Sequence, residues 1–162
     1  MADEKLYLPM IALRGRVVLP YVTITFDAGR LISLNAIKQS LDRSKLLIAV
    51  TQLDDSVEDV TSVKDFYEYG TVVSVVRVTN LSPTRVRITG RGMYRIHLED
   101  ITNADGCLYA MAKMSGATSK QQPLAEAYFR TTRYAVNEIL EGSRNLIISD
   151  DVTHILKEGE NP

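Results

Sequence analysis

The residues able to make or break bonds are few and scattered. His97 and His154 are the two histidines and Cys107 the one cysteine. A zinc site gathers several His, Cys or carboxylate ligands. The two histidines lie far apart in sequence, so no such cluster is expected. Cys107 has no base beside it in sequence and reads as a buried structural thiol rather than a nucleophile. Gly116-Ala117-Thr118-Ser119-Lys120 sets a serine beside a lysine, but it lacks the first glycine of a phosphate loop and reads as linker. No Gly-x-Ser-x-Gly elbow occurs. Asp54, Asp55, Glu58 and Asp59 form an acidic run without the glycine or the register of a calcium loop. The expectation is a chain with no catalytic residue, no metal site and no cofactor of its own.

Two features look suited to binding instead. Arg77, Arg85, Arg87, Arg91 and Arg95 cluster in one stretch with Tyr94 nearby. Arg85 and Arg87 point to the same side of a strand, since side chains alternate with a period of two. Arginines and an aromatic on a sheet can hold single-stranded nucleic acid. The net charge of −1 favours a plain solvated face, and nucleic acid is not the expected partner. The second feature is Val17-Val18-Leu19-Pro20-Tyr21, an apolar stretch joining two strands. It is either tucked in as a plug or exposed as a contact for unfolded chains. Leu19, Pro20 and Tyr21 are the first candidate contacts, and Met93 and Tyr94 the second.

The elements that must position these residues are mostly strands. Residues 6–13 are apolar with Pro9 within, which suits an edge or a strand start. Val22, Ile24 and Phe26 alternate with Tyr21, Thr23 and Thr25. Leu31, Leu34, Ile37 and Leu41 fall on one face of a short helix. Leu46 to Val50 form a continuous apolar run, the pattern of a central strand. Residues 54–65 read as a loop, and 70–78 as a valine-rich strand that makes a hairpin with 85–89. Residues 93–101 and 107–114 are two further strands. Pro123 opens and Gly142 closes a helix with an apolar stripe of Leu124, Tyr128, Ala135, Ile139 and Leu140. Ser149-Asp150-Asp151 reads as the start of one more short helix.

This divides the chain into a β-rich domain over 1–116, a linker over 117–122 and the beginning of a helical subdomain over 123–162. The last helices need something to pack against, which favours a helical unit that continues beyond Pro162. One cysteine, a start without a signal peptide and the lack of a membrane-length apolar run point to the cytoplasm.

The order of pieces also resembles a family. Leu8-Pro9-Met10-Ile11-Ala12-Leu13-Arg14 through Pro20 is similar to the opening of the amino-terminal domain of Lon-type ATP-dependent proteases. Gly29-Arg30 with the helix and strand after it, Tyr69-Gly70-Thr71-Val72, and Val86-Arg87-Ile88-Thr89-Gly90 followed by Arg95-Ile96 continue the match over about residues 6–101. The chain departs from the family at Ile24-Thr25-Phe26-Asp27-Ala28 and at Asn80-Leu81-Ser82-Pro83-Thr84, both surface segments. The resemblance implies an α+β fold: a small PUA-like β-barrel or pseudo-barrel with a packed helix, followed by the start of an α-helical region. It implies recognition of unfolded or damaged proteins and assembly with other Lon subunits into a ring. The ATP, magnesium and Ser-Lys protease chemistry of the family belong to modules outside these residues. A stand-alone adaptor of the same fold and a PUA-like RNA-binding domain are the alternatives.

Overall fold

A computed structural model of the chain describes residues 5–60, 62–116 and 122–142. The chain divides into two compact units, Met1–Gly116 and Ala117–Pro162. The first contains strands β1 (Lys5–Leu13) and β2 (Thr23–Ala28), helix α1 (Leu31–Leu41), and strands β3 (Leu46–Thr51), β4 (Tyr69–Ser82), β5 (Arg85–Ala104) and β6 (Cys107–Met114). The described part of the second is helix α2 (Gln122–Gly142). The short helix expected after Ser149 lies outside the described residues, as does His154.

The six strands run in the order β2-β5-β4-β3-β1-β6, and β5 also pairs with β6. That last pairing closes β5, β4, β3, β1 and β6 into a ring and leaves β2 on the flank of β5. This is the expected α+β pseudo-barrel. β1 and β3 run parallel; the other pairings are antiparallel. β1 and β3 bury side chains on both faces. Ile11, Leu13, Leu47 and Ala49 join a core under α1, whereas Met10, Ala12, Ile48 and Val50 join a second core with Phe66, Ile96 and Leu108. Two-sided burial explains why these strands read as continuous apolar runs rather than alternations.

Two expectations need correction. Leu31 and Leu41 do not face the core: Leu31 is 73% exposed, and α1 instead buries Ser33, Ala36, Ile37 and Ser40. Small residues let the helix axis sit close to β1, β3 and β6, which a count of large apolar residues does not reveal. The strands expected at 85–89 and 93–101 are one strand, β5. Gly90, Arg91 and Gly92 look like a break, yet the chain stays extended through them. On α2, Tyr128, Ala135 and Ile139 are exposed.

Candidate functional site

The apolar stretch after β1 is divided residue by residue. Val18 is buried at 5% exposure and belongs to the core under α1, while Leu19 and Tyr21 stand 59% and 63% exposed. Buried and exposed side chains therefore alternate along this stretch. The backbone here is pinned along its length. Thr51 Oγ1 donates to Arg16 O at 2.5 Å and Thr71 Oγ1 to Val18 O at 2.6 Å. The Tyr21 N–H donates to Gly92 O at 2.8 Å, and the Gly92 N–H returns to Val22 O at 3.0 Å. Tyr21 holds a left-handed backbone, φ +66°, an arrangement a non-glycine residue keeps only where its surroundings impose it.

Gly92 is where the two candidate segments meet. A Cβ on it would lie 2.1 Å from the Leu19 carbonyl oxygen, so glycine here serves close backbone approach rather than a turn. The β4–β5 register slips at this point: Val73 faces Gly92 and Val72 faces Tyr94, leaving Met93 as an extra residue. The bulge turns Met93 outward to partial exposure and keeps Tyr94 half-buried against the second core. The structure thus brings Leu19, Pro20 and Tyr21 beside the stretch carrying Met93 and Tyr94.

Sequence reasoning missed a neighbouring groove of about 1040 Å³. Val17 lines it at the loop end, with Leu53, Phe66, Tyr67, Tyr69 and His97 around it. Tyr67, Tyr69 and Leu53 are exposed. The Arg95 guanidinium carbon sits 3.9 Å from the Tyr69 ring centroid, and His97 meets the same ring edge-on at 5.3 Å. The available signal was the aromatic pair Tyr67 and Tyr69 on alternate positions. Its partners on 17, 53 and 97 are too distant in sequence to infer.

The arginine cluster is mostly engaged. Arg87 grips Asp27 through Nε to Oδ1 at 2.8 Å and Nη2 to Oδ2 at 3.2 Å, and Arg85 Nη2 reaches Oδ2 at 3.1 Å. The hydrogen bond from Arg87 holds the Asp27 carboxyl below the usual carboxylate range. A carboxyl depressed by folding contributes stability that is complete above its unfolded value, about pH 4, and is lost as pH falls through the lower folded value. Asp27→Asn is therefore expected to flatten the acid side of the stability curve. Urea midpoints from about pH 2 to about pH 7 read this, and an unchanged acid slope would contradict the pairing.

Among the described residues no three His, Cys, Asp or Glu side chains gather as metal ligands. Cys107 is buried, and burial pushes its thiol pKa up, away from a reactive thiolate. No described helix is long and apolar enough to cross a membrane.

A family model described as the ATP-dependent protease La (LON) substrate-binding domain matches residues 7–162. The chain belongs to this Lon family. The Lon protease of Clostridioides difficile is 34% identical over 104 residues, 64% of this chain and 13% of that protein. The Lon protease of Desulfovibrio desulfuricans is 28% identical over 156 residues, 96% of this chain and 17% of that protein. The chain thus spans less than a fifth of the length of these curated Lon relatives, which are full-length proteases. Two solved Lon structures share the fold. The N-terminal domain of Mycobacterium avium complex Lon protease superposes with a TM-score of 0.63 at 14% identity, covering 84% of this chain and 70% of that one. The Lon N-terminal domain protein from Xanthomonas campestris gives 0.54 at 18% identity, covering 96% and 92%.

Proposed function

We propose that this chain is the substrate-recognition part of an ATP-dependent Lon-type serine protease, and that it holds unfolded or damaged proteins by their exposed apolar segments. The observation that carries this reading is the pinned loop, which buries Val18 while presenting Val17, Leu19 and Tyr21 to solvent. Exposed apolar groups on a backbone already ordered by four hydrogen bonds lose little conformational freedom on binding. Leu19, Pro20 and Tyr21 make the primary contact, with Met93 and Tyr94 beside them and the Tyr67–Tyr69 groove extending the surface. Each contact is weak, and assembly with other Lon subunits multiplies it through effective concentration.

The chain itself performs no bond-breaking. ATP, magnesium and the Ser-Lys pair belong to the remaining modules of such a protease, acting in the cytoplasm. An RNA-binding role has less support: Arg85 and Arg87 are held by Asp27, and Arg95 covers Tyr69.

The test is crosslinking to a permanently unfolded model protein. Crosslinks are expected at residues 17–21 and 93, and Leu19→Asp with Tyr21→Asp is expected to weaken binding about tenfold or more. Crosslinks confined to other surfaces, together with unchanged affinity of that double variant, would remove the assignment.

A further inference from the structure

A second cleft, of about 710 Å³, starts at Arg16, where the pinned loop begins, and runs between the end of β1 and the outer side of β2. Five arginines line it, Arg14, Arg16, Arg30, Arg85 and Arg87, against a single carboxylate, Asp27. In a chain with 19 basic and 20 acidic residues this is a strong local imbalance. The acids of the 54–59 loop do not line the cleft. Among them Glu58 acts on Arg30, and Asp55 accepts the Gly15 N–H at 2.9 Å. Burial, and then the positive charge of nearby Arg14, push the Arg30 pKa down. Arg14 Nη2 donates to Val57 O at 3.0 Å, yet its Nε is enclosed with no acceptor. A buried donor without a partner is costly and marks a place where an acceptor is wanted.

The backbone adds a second, independent feature. β2 pairs with β5 alone, so among the described residues no second strand runs along the other edge of residues 24–28. β1 pairs with β6 only as far as Pro9, and beyond it with β3 alone. Residues 11–13 and 25–28 both line the cleft. A strand edge beside a cleft is a template for an extended segment. The helix that follows adds to the positive field: α1 has no side-chain cap on its first turn and no acid in it.

We infer that this cleft takes an extended acidic peptide segment, added to the edge of β2 with its carboxylates on Arg14 and Arg16, beside the Arg85–Arg87 pair that Asp27 holds. The inference rests on the chain binding polypeptide substrates, and it gives them a second chemistry: acidic stretches here, apolar ones at the pinned loop. Carboxylates suit guanidinium groups because two parallel N–H donors meet two oxygens.

The test uses the 162-residue chain and a labelled Glu- and Asp-rich peptide, with its Gln/Asn counterpart, inorganic phosphate and single-stranded RNA of equal charge as comparisons. The acidic peptide is expected to bind at low salt and the amide counterpart about tenfold less tightly. Arg16→Gln, an exposed position that does not threaten the fold, is expected to weaken the acidic peptide severalfold, and Arg14→Gln with Arg16→Gln about tenfold. Asp27→Asn frees two arginines and is expected to tighten binding. Leu19→Asp with Tyr21→Asp is expected to leave it unchanged, which separates this site from the pinned loop. Equal binding of the amide peptide overturns the inference, as does phosphate competing as well as the peptide at equal charge. RNA binding in place of the peptide assigns the cleft to nucleic acid and also overturns it. Failure of the arginine variants with retained apolar binding would sink the cleft and leave the proposed function standing.

Discussion

Gly92→Ala is expected to cost the fold about 1–3 kcal/mol and to abolish most binding of unfolded chains. The added methyl would sit 2.1 Å from the Leu19 carbonyl oxygen and 3.0 Å from its carbon. Both obstacles are backbone, so no rotamer change relieves the clash. Either β5 bends away from β4 or the loop lifts off the sheet. In the second case the reciprocal bonds between residues 21–22 and Gly92 break, and Leu19 and Tyr21 lose their fixed presentation. Gly116→Ala is the control, because a Cβ there meets nothing within 4 Å. Denaturant midpoints and affinity for an unfolded protein, measured on both variants, decide the matter. Equal stability and binding of Gly92→Ala and the parent would show that the loop does not depend on this approach.

Gln52→Leu is expected to destabilise by about 2–4 kcal/mol. Gln52 is 2% exposed and joins three segments. Its Oε1 accepts from Arg30 Nη1 at 3.0 Å, and its Nε2 donates to Val57 O at 2.9 Å and to Asp54 O at 3.3 Å. Arg30 in turn donates from Nη2 to Ala12 O at 2.6 Å. Leucine fills a similar volume but leaves a half-buried guanidinium facing an apolar group and two carbonyls without that donor. Gln52→Glu separates the terms. It restores an acceptor for Arg30 and removes the two donations, so a loss of about 1 kcal/mol is expected. Hydrogen exchange should show residues 53–60 opening in both variants, and indifference of that loop to either change would contradict the network.

Much of the scaffold is readable from local pattern. Leu46 to Val50 announces a strand buried on both faces, and it is one. Helix α2 falls where Pro123 and the apolar stripe after it predict one. What local pattern misses is how closely elements approach. Ser33, Ala36 and Ser40 seat α1 because they are small, whereas the larger Leu31 is left in solvent. Gly92 reads as an interruption because glycine usually marks one, yet its job is to let another backbone pass. The same limit applies to the surface. The alternation of Arg85 and Arg87 is evident, but their shared partner Asp27 lies about sixty residues earlier. The apolar loop is visible as composition; which of its side chains enter the core depends on Thr51 and Thr71 holding its carbonyls.

The closure of the ring has a bearing on synthesis. β1 is made before both of its partner strands, β3 beside residues 10–13 and β6 beside residues 5–9, so its pairing is complete only once the last of them is made. Until residue 114 has emerged, residues 5–9 lack their partner strand and Met10 and Ala12 lack part of their core, and pairings between distant segments form slowly. During that interval the nascent chain displays unpaired, oily strand, the kind of surface that the proposed function has the completed domain seize. On that proposal newly made copies are open to capture by finished neighbours, and the yield of intact molecules should fall as the local density of translation rises.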